Sequence, residues 1–273
     1  MSKNFYKEIG WILKDKYGGK LRPEIENDIK RLKKGEPVDY IVGWKPFLNC
    51  EIDLSFKPLI PRPETEFWVE KVIAKILDYS VNAKPLSLKI ADVFAGSGCV
   101  GISVLKNVKN SKVDFYEIDS NLIKQIKLNL KINRINKSRY RVIRADIFTA
   151  RVNPSGKNII DTAVHSLNLL KDKYDFILAN PPYVALKRKN RVQKEVLKYE
   201  PKKALFSGKD GLKIIKKFLK QTVQYIKPTC QIWMEFDSFQ KPLIGKILKQ
   251  LKYKKWIFYK DQYKKWRFVK IIA

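Results

Sequence analysis

The chain has 273 residues, 45% of them apolar and 31% charged, which is enough to bury a sizeable core and excludes global disorder. Its 12 Gly and 13 Pro exclude collagen-like and low-complexity classes. Lys and Arg number 57 against 27 Asp and Glu, a formal charge of +30; this suits contact with nucleic acid or the ribosome, and equally a lysine-rich composition kept for solubility.

Residues 5–34 read as helix: Phe5, Ile9, Ile12 and Leu13 recur at helical spacing, Tyr17-Gly18-Gly19 interrupts, and Ile25, Ile29 and Leu32 resume until Gly35. Over residues 38–58 the period changes, and Tyr40-Ile41-Val42, Phe47 and Ile52-Asp53-Leu54 predict a hairpin or two short strands. Pro58, Pro61 and Pro63 punctuate a stiff link. A boundary near residue 58 divides a small N-terminal helical region with its hairpin link (1–58) from a larger domain (59–273). After a helix over 64–77, strands are expected at 89–94, 113–118, 140–143, 174–179 and 231–236, with helices at 100–108, 121–132, 212–226 and 242–251. Strands at 256–259 and 266–271 would close the chain as an antiparallel hairpin. Such alternation predicts an α/β fold, a mostly parallel Rossmann-like sheet with helices on both faces. Residues 149–173 lack a period and read as a long loop, with a short helix around 164–170.

Cys50, Cys99 and Cys230 are far apart and make neither a disulfide framework nor a CxxC zinc pattern. With His165 as the only histidine, no metal site is expected. No run of about 18 apolar residues exists, and charges interrupt residues 1–20, so the expectation is a soluble cytoplasmic protein with no membrane contact.

Three motifs carry chemistry. Asp92-Val93-Phe94-Ala95-Gly96-Ser97-Gly98-Cys99-Val100-Gly101 leaves the first long strand and opens a helix. Gly96 and Gly98 would let backbone approach a ligand at the C-terminal edge of the sheet, and no Walker lysine follows. Glu117 ends the next strand, where a carboxylate can hold a ribose diol of either NAD or S-adenosylmethionine, with Asp119 as a competing choice. Asp146 follows the third strand, where it could meet an adenine amino group. Asn180-Pro181-Pro182-Tyr183 follows the fourth strand directly. Its prolines stiffen the loop, its carbonyls and the Asn180 oxygen offer acceptors to a planar –NH₂ group, and Tyr183 offers a ring face. An amide or aniline-like nitrogen is a poor nucleophile; two acceptors on its hydrogens would hold it and turn its lone pair toward an electrophile, a device for which a dehydrogenase has no use.

With these residues the chain resembles the class I S-adenosylmethionine-dependent methyltransferases, and among them the HemK/PrmC family of release factor glutamine-N5 methyltransferases. The resemblance runs over about residues 35–240 and rests on Gly35-Glu36-Pro37-Val38-Asp39-Tyr40-Ile41-Val42-Gly43, on Leu59-Ile60-Pro61-Arg62-Pro63-Glu64-Thr65-Glu66, on Tyr199-Glu200-Pro201 with Ala204-Leu205 and Gly208 to Gly211, and on Glu235 with Gln240. It implies that Phe94, Ala95, Gly96, Ser97 and Gly98 wrap the methionine end of S-adenosylmethionine, that Glu117 holds the ribose, and that Asp146 and Ile147 border the adenine. Asn180, Pro181, Pro182 and Tyr183 would grip the glutamine amide, with Arg62 and Glu64 near the mouth of the site. The implied partner is a peptide chain release factor, methylated in its Gly-Gly-Gln loop.

The sequence departs from the family pattern in three places. Phe94-Ala95 replaces a usual Gly-Thr pair, Asp237 stands where Gly is usual, and the N-terminal region is short. Residues 149–173 read as an insertion. Two alternatives remain at this level: an N6-adenine methyltransferase on DNA or RNA, or a glutamine methyltransferase for a ribosomal protein. A basic binding module that keeps the fold without the activity is disfavoured by the intact Asn180–Tyr183 loop and Glu117.

Overall fold

The computed structural model describes residues 3–83, 87–146, 174–222, 226 and 228–272. Ile147, His165 and the stretch 149–173 lie outside them, as does the helix expected around 164–170.

The N-terminal helix α1 (Lys3–Trp11) widens into a π-turn over Ile12–Lys16. Gly18 and Gly19, both at positive φ, stop it. Helix α2 (Ile25–Lys33) follows, and then α3 (Val38–Val42), flanked by Pro37 and by Gly43 at φ 95°. Tyr40-Ile41-Val42 is therefore helical, and the extended leg expected there is not formed. Val38, Ile41 and Val42 lie at i, i+3 and i+4, so a single helical turn presents all three to Ile12 and Leu32. Tyr40 points to the other side, where its hydroxyl donates to the Pro58 carbonyl at 2.5 Å.

The hairpin pairs β1 (Trp44–Phe47) with β2 (Cys50–Asp53) through Leu48 and Asn49, both left-handed. Its Phe47, Cys50, Ile52 and Leu54 are buried in the main core. Three amide side chains of α6 (Ser120–Ile132) and its C-cap satisfy its backbone: Asn133 accepts from Glu51 N, Asn129 from Asp53 N and Gln125 from Phe56 N, at 2.8–3.0 Å.

The main sheet has seven strands in the order β5-β4-β3-β6-β7-β9-β8. Strands β3 (Leu88–Val93), β4 (Ser111–Glu117), β5 (Tyr140–Arg144), β6 (Phe176–Ala179) and β7 (Gln231–Glu235) run parallel. Strand β9 (Trp266–Ile272) is antiparallel to β7, and β8 (Lys255–Lys260) is antiparallel to β9. This is the class I methyltransferase sheet that the sequence predicts, closed by the antiparallel pair. Side chains alternate across it. Ile90, Val113, Phe115 and Leu178 pack under α4 (Pro63–Ala83), α5 (Cys99–Asn107) and α6. Ala91, Val93, Ile177 and Met234 pack under α7 (Lys213–Thr222) and α8 (Lys241–Gln250).

The chain enters at the central strand β3, moves outward to β5, and returns to β6 on the other side of β3. Ligands of open α/β sheets bind at such a switch point, beyond the strands' C-terminal ends. Here the register aligns Tyr116, Val93, Ala179 and Met234. The residues that follow them, Glu117, Phe94, Asn180 and Glu235, therefore stand in one row at the C-terminal edge of the sheet.

Candidate active site

Phe94 turns out of β3 at φ 62°, and its ring meets Phe218 edge to face at 5.8 Å. Gly96 (φ 57°) and Gly98 (φ 79°) follow, and Gly98 caps α5, accepting from Ile102 N. These positive φ values are cheap only for glycine. Gly101, one turn into α5, is constrained differently: a Cβ there would stand 2.4 Å from the Phe115 ring and 2.9 Å from Asp92 Oδ2. Asp92 is 2% exposed and accepts from Gly101 N at 2.8 Å. Burial pushes its carboxyl up to about 8.

Glu117 faces the glycine turn. Its Oε2 accepts from Gly96 N at 2.9 Å, and its Oε1 from Ile118 N and Asp119 N at 2.8 and 3.0 Å. Burial raises its pKa, against the pull of these three N–H groups. A carboxylate has about four acceptor sites, so one remains beyond those three. The competing Asp119 accepts from Asn121 N and caps α6.

A cavity of about 940 Å³ opens over this row. Phe94–Ser97, Glu117, Asp146, Asn180, Pro182 and Arg62 line it, together with Asp92, Thr65, Tyr116 and Glu117's neighbours Ile118 and Asp119. Pro181 and Tyr183 line a smaller adjoining hollow that shares Arg62 and Asn180. Gly98 stands behind the lining as the helix cap. Glu64 is not among the lining residues of either space; its neighbour Thr65, from the first turn of α4, is. Ile147 lies outside the described residues.

The loop after β6 is braced from three sides. Tyr183 donates its hydroxyl to Glu235 Oε1 at 2.8 Å, and burial beside that carboxylate raises the phenol well above its ordinary value. Gln240 Nε2 donates to the Tyr183 carbonyl at 3.0 Å, while its Oε1 accepts from Asp237 N. Val184 pairs with Phe206, with Val184 N donating to the Leu205 carbonyl and Ser207 N to the Val184 carbonyl. At the mouth, the buried Glu200 accepts from Ile60 N at 3.1 Å and from Arg62 at 2.5 Å. The motif around Leu59–Glu66 and the one around Glu200 are thus two halves of one clamp.

Sequence reasoning missed three contributors: Asp92, Thr65 and Glu200. Thr65 and Glu200 stand inside motifs read from the sequence, and Asp92 opens the glycine-turn motif. Their positions were visible, but no spacing signals which distant partner each one meets.

The Methyltransferase small domain family matches residues 72–162. A release factor glutamine methyltransferase of Lactococcus lactis is 32% identical over 221 residues, covering 81% of this chain and 71% of that protein. The chain belongs to the release factor glutamine methyltransferase family. A second member, from Flavobacterium psychrophilum, is 29% identical over 90% of this chain and 79% of its own. Among solved structures, the N-terminal domain of human METTL16 in complex with SAH aligns at a TM-score of 0.53 and 16% identity, covering 83% of this chain and 76% of that one, a likeness of fold alone.

The methyl donor of this methyltransferase family is S-adenosylmethionine, and the residues present fit it. The cavity is within the range that small-molecule sites occupy. The turn at Gly96 has no side chain to fill it, since a Cβ there would meet nothing nearer than 3.9 Å. A buried carboxylate with spare acceptor capacity stands opposite, at Glu117.

Proposed function

We propose that this enzyme transfers the methyl group of S-adenosylmethionine to the side-chain amide nitrogen of the glutamine in the Gly-Gly-Gln loop of a peptide chain release factor. The observation that carries the reading is the single row formed by Phe94, Glu117 and Asn180 at the C-terminal edge of the sheet, facing one cavity. The names of the relatives from L. lactis and F. psychrophilum support the same substrate.

When bound, S-adenosylmethionine supplies an electrophilic sulfonium methyl. Phe94–Gly98 and Glu117 would hold the methionine and ribose parts, and Asp146 and Ile147 the adenine. An amide nitrogen is a poor nucleophile because its lone pair is delocalised. Asn180 Oδ1, with a carbonyl of the rigid Pro181–Pro182 loop, would accept the two amide hydrogens and orient the nitrogen. So held, the nitrogen would take the methyl that the bound cofactor supplies, and its proton would pass to water. Positioning supplies most of the acceleration.

We assign residues 1–58 to substrate docking and 59–273 to the reaction, with the β1–β2 hairpin sharing the core of the larger part. The segment 186–203 carries eight Lys and Arg against two Glu, one of them the buried Glu200, and its Lys202 and Lys203 line the cavity. That strip supports a further contact with RNA phosphates, as on a ribosome. Among the described residues no helix is long and apolar enough to cross a membrane. The reading places the protein in the cytoplasm, where translation ends.

The test is labelling. A purified release factor incubated with the enzyme and methyl-labelled S-adenosylmethionine should take up one methyl on that glutamine, and Gln→Ala in the factor should abolish the uptake. Label in adenine N6 of nucleic acid, with the release factor unmodified, would replace this reading with the adenine one.

A further inference from the structure

An asparagine amide presents an oxygen on one side and an –NH₂ on the other, and the two orientations are nearly equal in shape. Only one of them turns Oδ1 of Asn180 toward the cavity as an acceptor. Thr65 and Glu235 contain the selection. Thr65 is 2% exposed and comes from α4; Glu235 is 1% exposed and ends β7, next to Asn180 in the row. Asn180 Nδ2 donates to Thr65 Oγ1 at 3.3 Å, and Thr65 Oγ1 donates to Glu235 Oε2 at 2.7 Å.

A hydroxyl has one proton, and here that proton is committed to the carboxylate. Thr65 can therefore meet Asn180 only with a lone pair, and the partner it accepts must be the –NH₂ side. The carboxylate is itself held as an acceptor: Trp68 Nε1, a donor with no acceptor capacity, donates to Oε2 at 2.6 Å, and Tyr183 donates to Oε1 at 2.8 Å. Donor and acceptor identity thus passes from Trp68 and Glu235 through Thr65 to Asn180. Among the described residues Asn180 Oδ1 keeps no protein partner and is left for the substrate.

We propose that Thr65 is a positioning residue, whose Glu235-directed hydroxyl sets the amide of Asn180 so that its oxygen faces the methyl acceptor. This rests on the reading, given above, that Asn180 accepts from the substrate amide.

The test compares Thr65→Val, which keeps the branched shape and removes the hydroxyl, with Thr65→Ser, which keeps it. Thr65→Val should lower kcat for release-factor methylation by roughly 10- to 100-fold, part of what removal of a transition-state hydrogen-bond group costs. The Kd for S-adenosylhomocysteine, measured by calorimetry, should stay within about twofold. Thr65→Ser should restore most of the lost kcat. A second readout does not depend on the acceptor: the side-chain amide NMR signals of Asn180, assigned by their absence in Asn180→Ala, should shift in Thr65→Val and return in Thr65→Ser. Unmoved signals in the folded valine variant would overturn the proposal whatever the substrate. So would wild-type kcat in that variant, or equal losses with valine and serine. Failure of the wild-type enzyme to label any release factor would instead strike the substrate reading.

Discussion

Gly211 lies so close beneath the Asn180–Tyr183 loop that a Cβ on it would stand 2.2 Å from the Tyr183 carbonyl oxygen and 2.7 Å from Gln240 Nε2. Its φ of 76° is also left-handed. Gly211→Ala must therefore push the loop away from its Gln240 brace. The expected result is a loss of about 2–3 kcal/mol in stability and a fall of at least about tenfold in kcat. Urea denaturation and initial-rate measurements check the pair, and an active, fully stable alanine variant would show that the loop tolerates the displacement.

Gly101 and Gly96 should separate packing from ligand space. Gly101→Ala drives a methyl into Phe115 and Asp92, at ordinary helical φ, and should cost about 1–3 kcal/mol of stability through overpacking. Gly96→Ala meets no atom nearer than 3.9 Å, so its cost in the free protein is the left-handed backbone alone, about 1–2 kcal/mol. It should, however, weaken S-adenosylhomocysteine binding, because the methyl projects where backbone meets the ligand. Melting temperatures and calorimetric affinities for the two variants decide this.

Asp92 should leave a pH signature in stability. Burial raises its carboxyl from 3.8 to about 8 in the folded enzyme. Across that interval the folded state holds a proton that the unfolded chain has lost, so stability falls as pH rises toward 8. Asp92→Asn keeps an oxygen for Gly101 N and cannot ionise. Its stability relative to wild type should therefore improve from about pH 5 to about pH 8 and level off above. A difference that stays flat across those pH values would mean that Asp92 ionises at its ordinary value.

Glu117 has two duties, to three backbone N–H groups and to the ligand. Glu117→Gln turns an –NH₂ toward donors, so it should lower the melting temperature as well as affinity. The expected loss in S-adenosylmethionine binding is about 1.5–3 kcal/mol, the scale of a charge-assisted contact. Wild-type affinity by calorimetry would move the ribose contact to Asp119.

Where period and turn chemistry agree, the elements are legible in the chain. The helix expected over 64–77 is α4, and α5 and α6 fall between β3, β4 and β5 as the apolar spacing predicts. Tyr40-Ile41-Val42 differs from its expectation because a short apolar run does not distinguish helix from strand; Pro37 and Gly43 bound one helical turn. Glu64 shows the same limit within a motif. It is adjacent to a lining residue, but the direction of the first turn of α4 gives the cavity Thr65 instead.

The alternation of apolar periods was sufficient to predict a mostly parallel sheet, and the glycines at 96 and 98 with the loop at Asn180–Tyr183 its ligand edge, because each depends on a few neighbouring residues; the methyltransferase assignment followed from the family resemblance. The polar partnerships of the site are of another kind. Thr65 meets Glu235 across 170 positions and Asn180 across 115, and Ile60 meets Glu200 across 140. Each side chain can donate or accept in several directions, and only packing of α4 against the ends of β6 and β7 leaves one. The tertiary structure therefore decided which way Asn180 faces, while the local sequence had already placed it at the end of its strand.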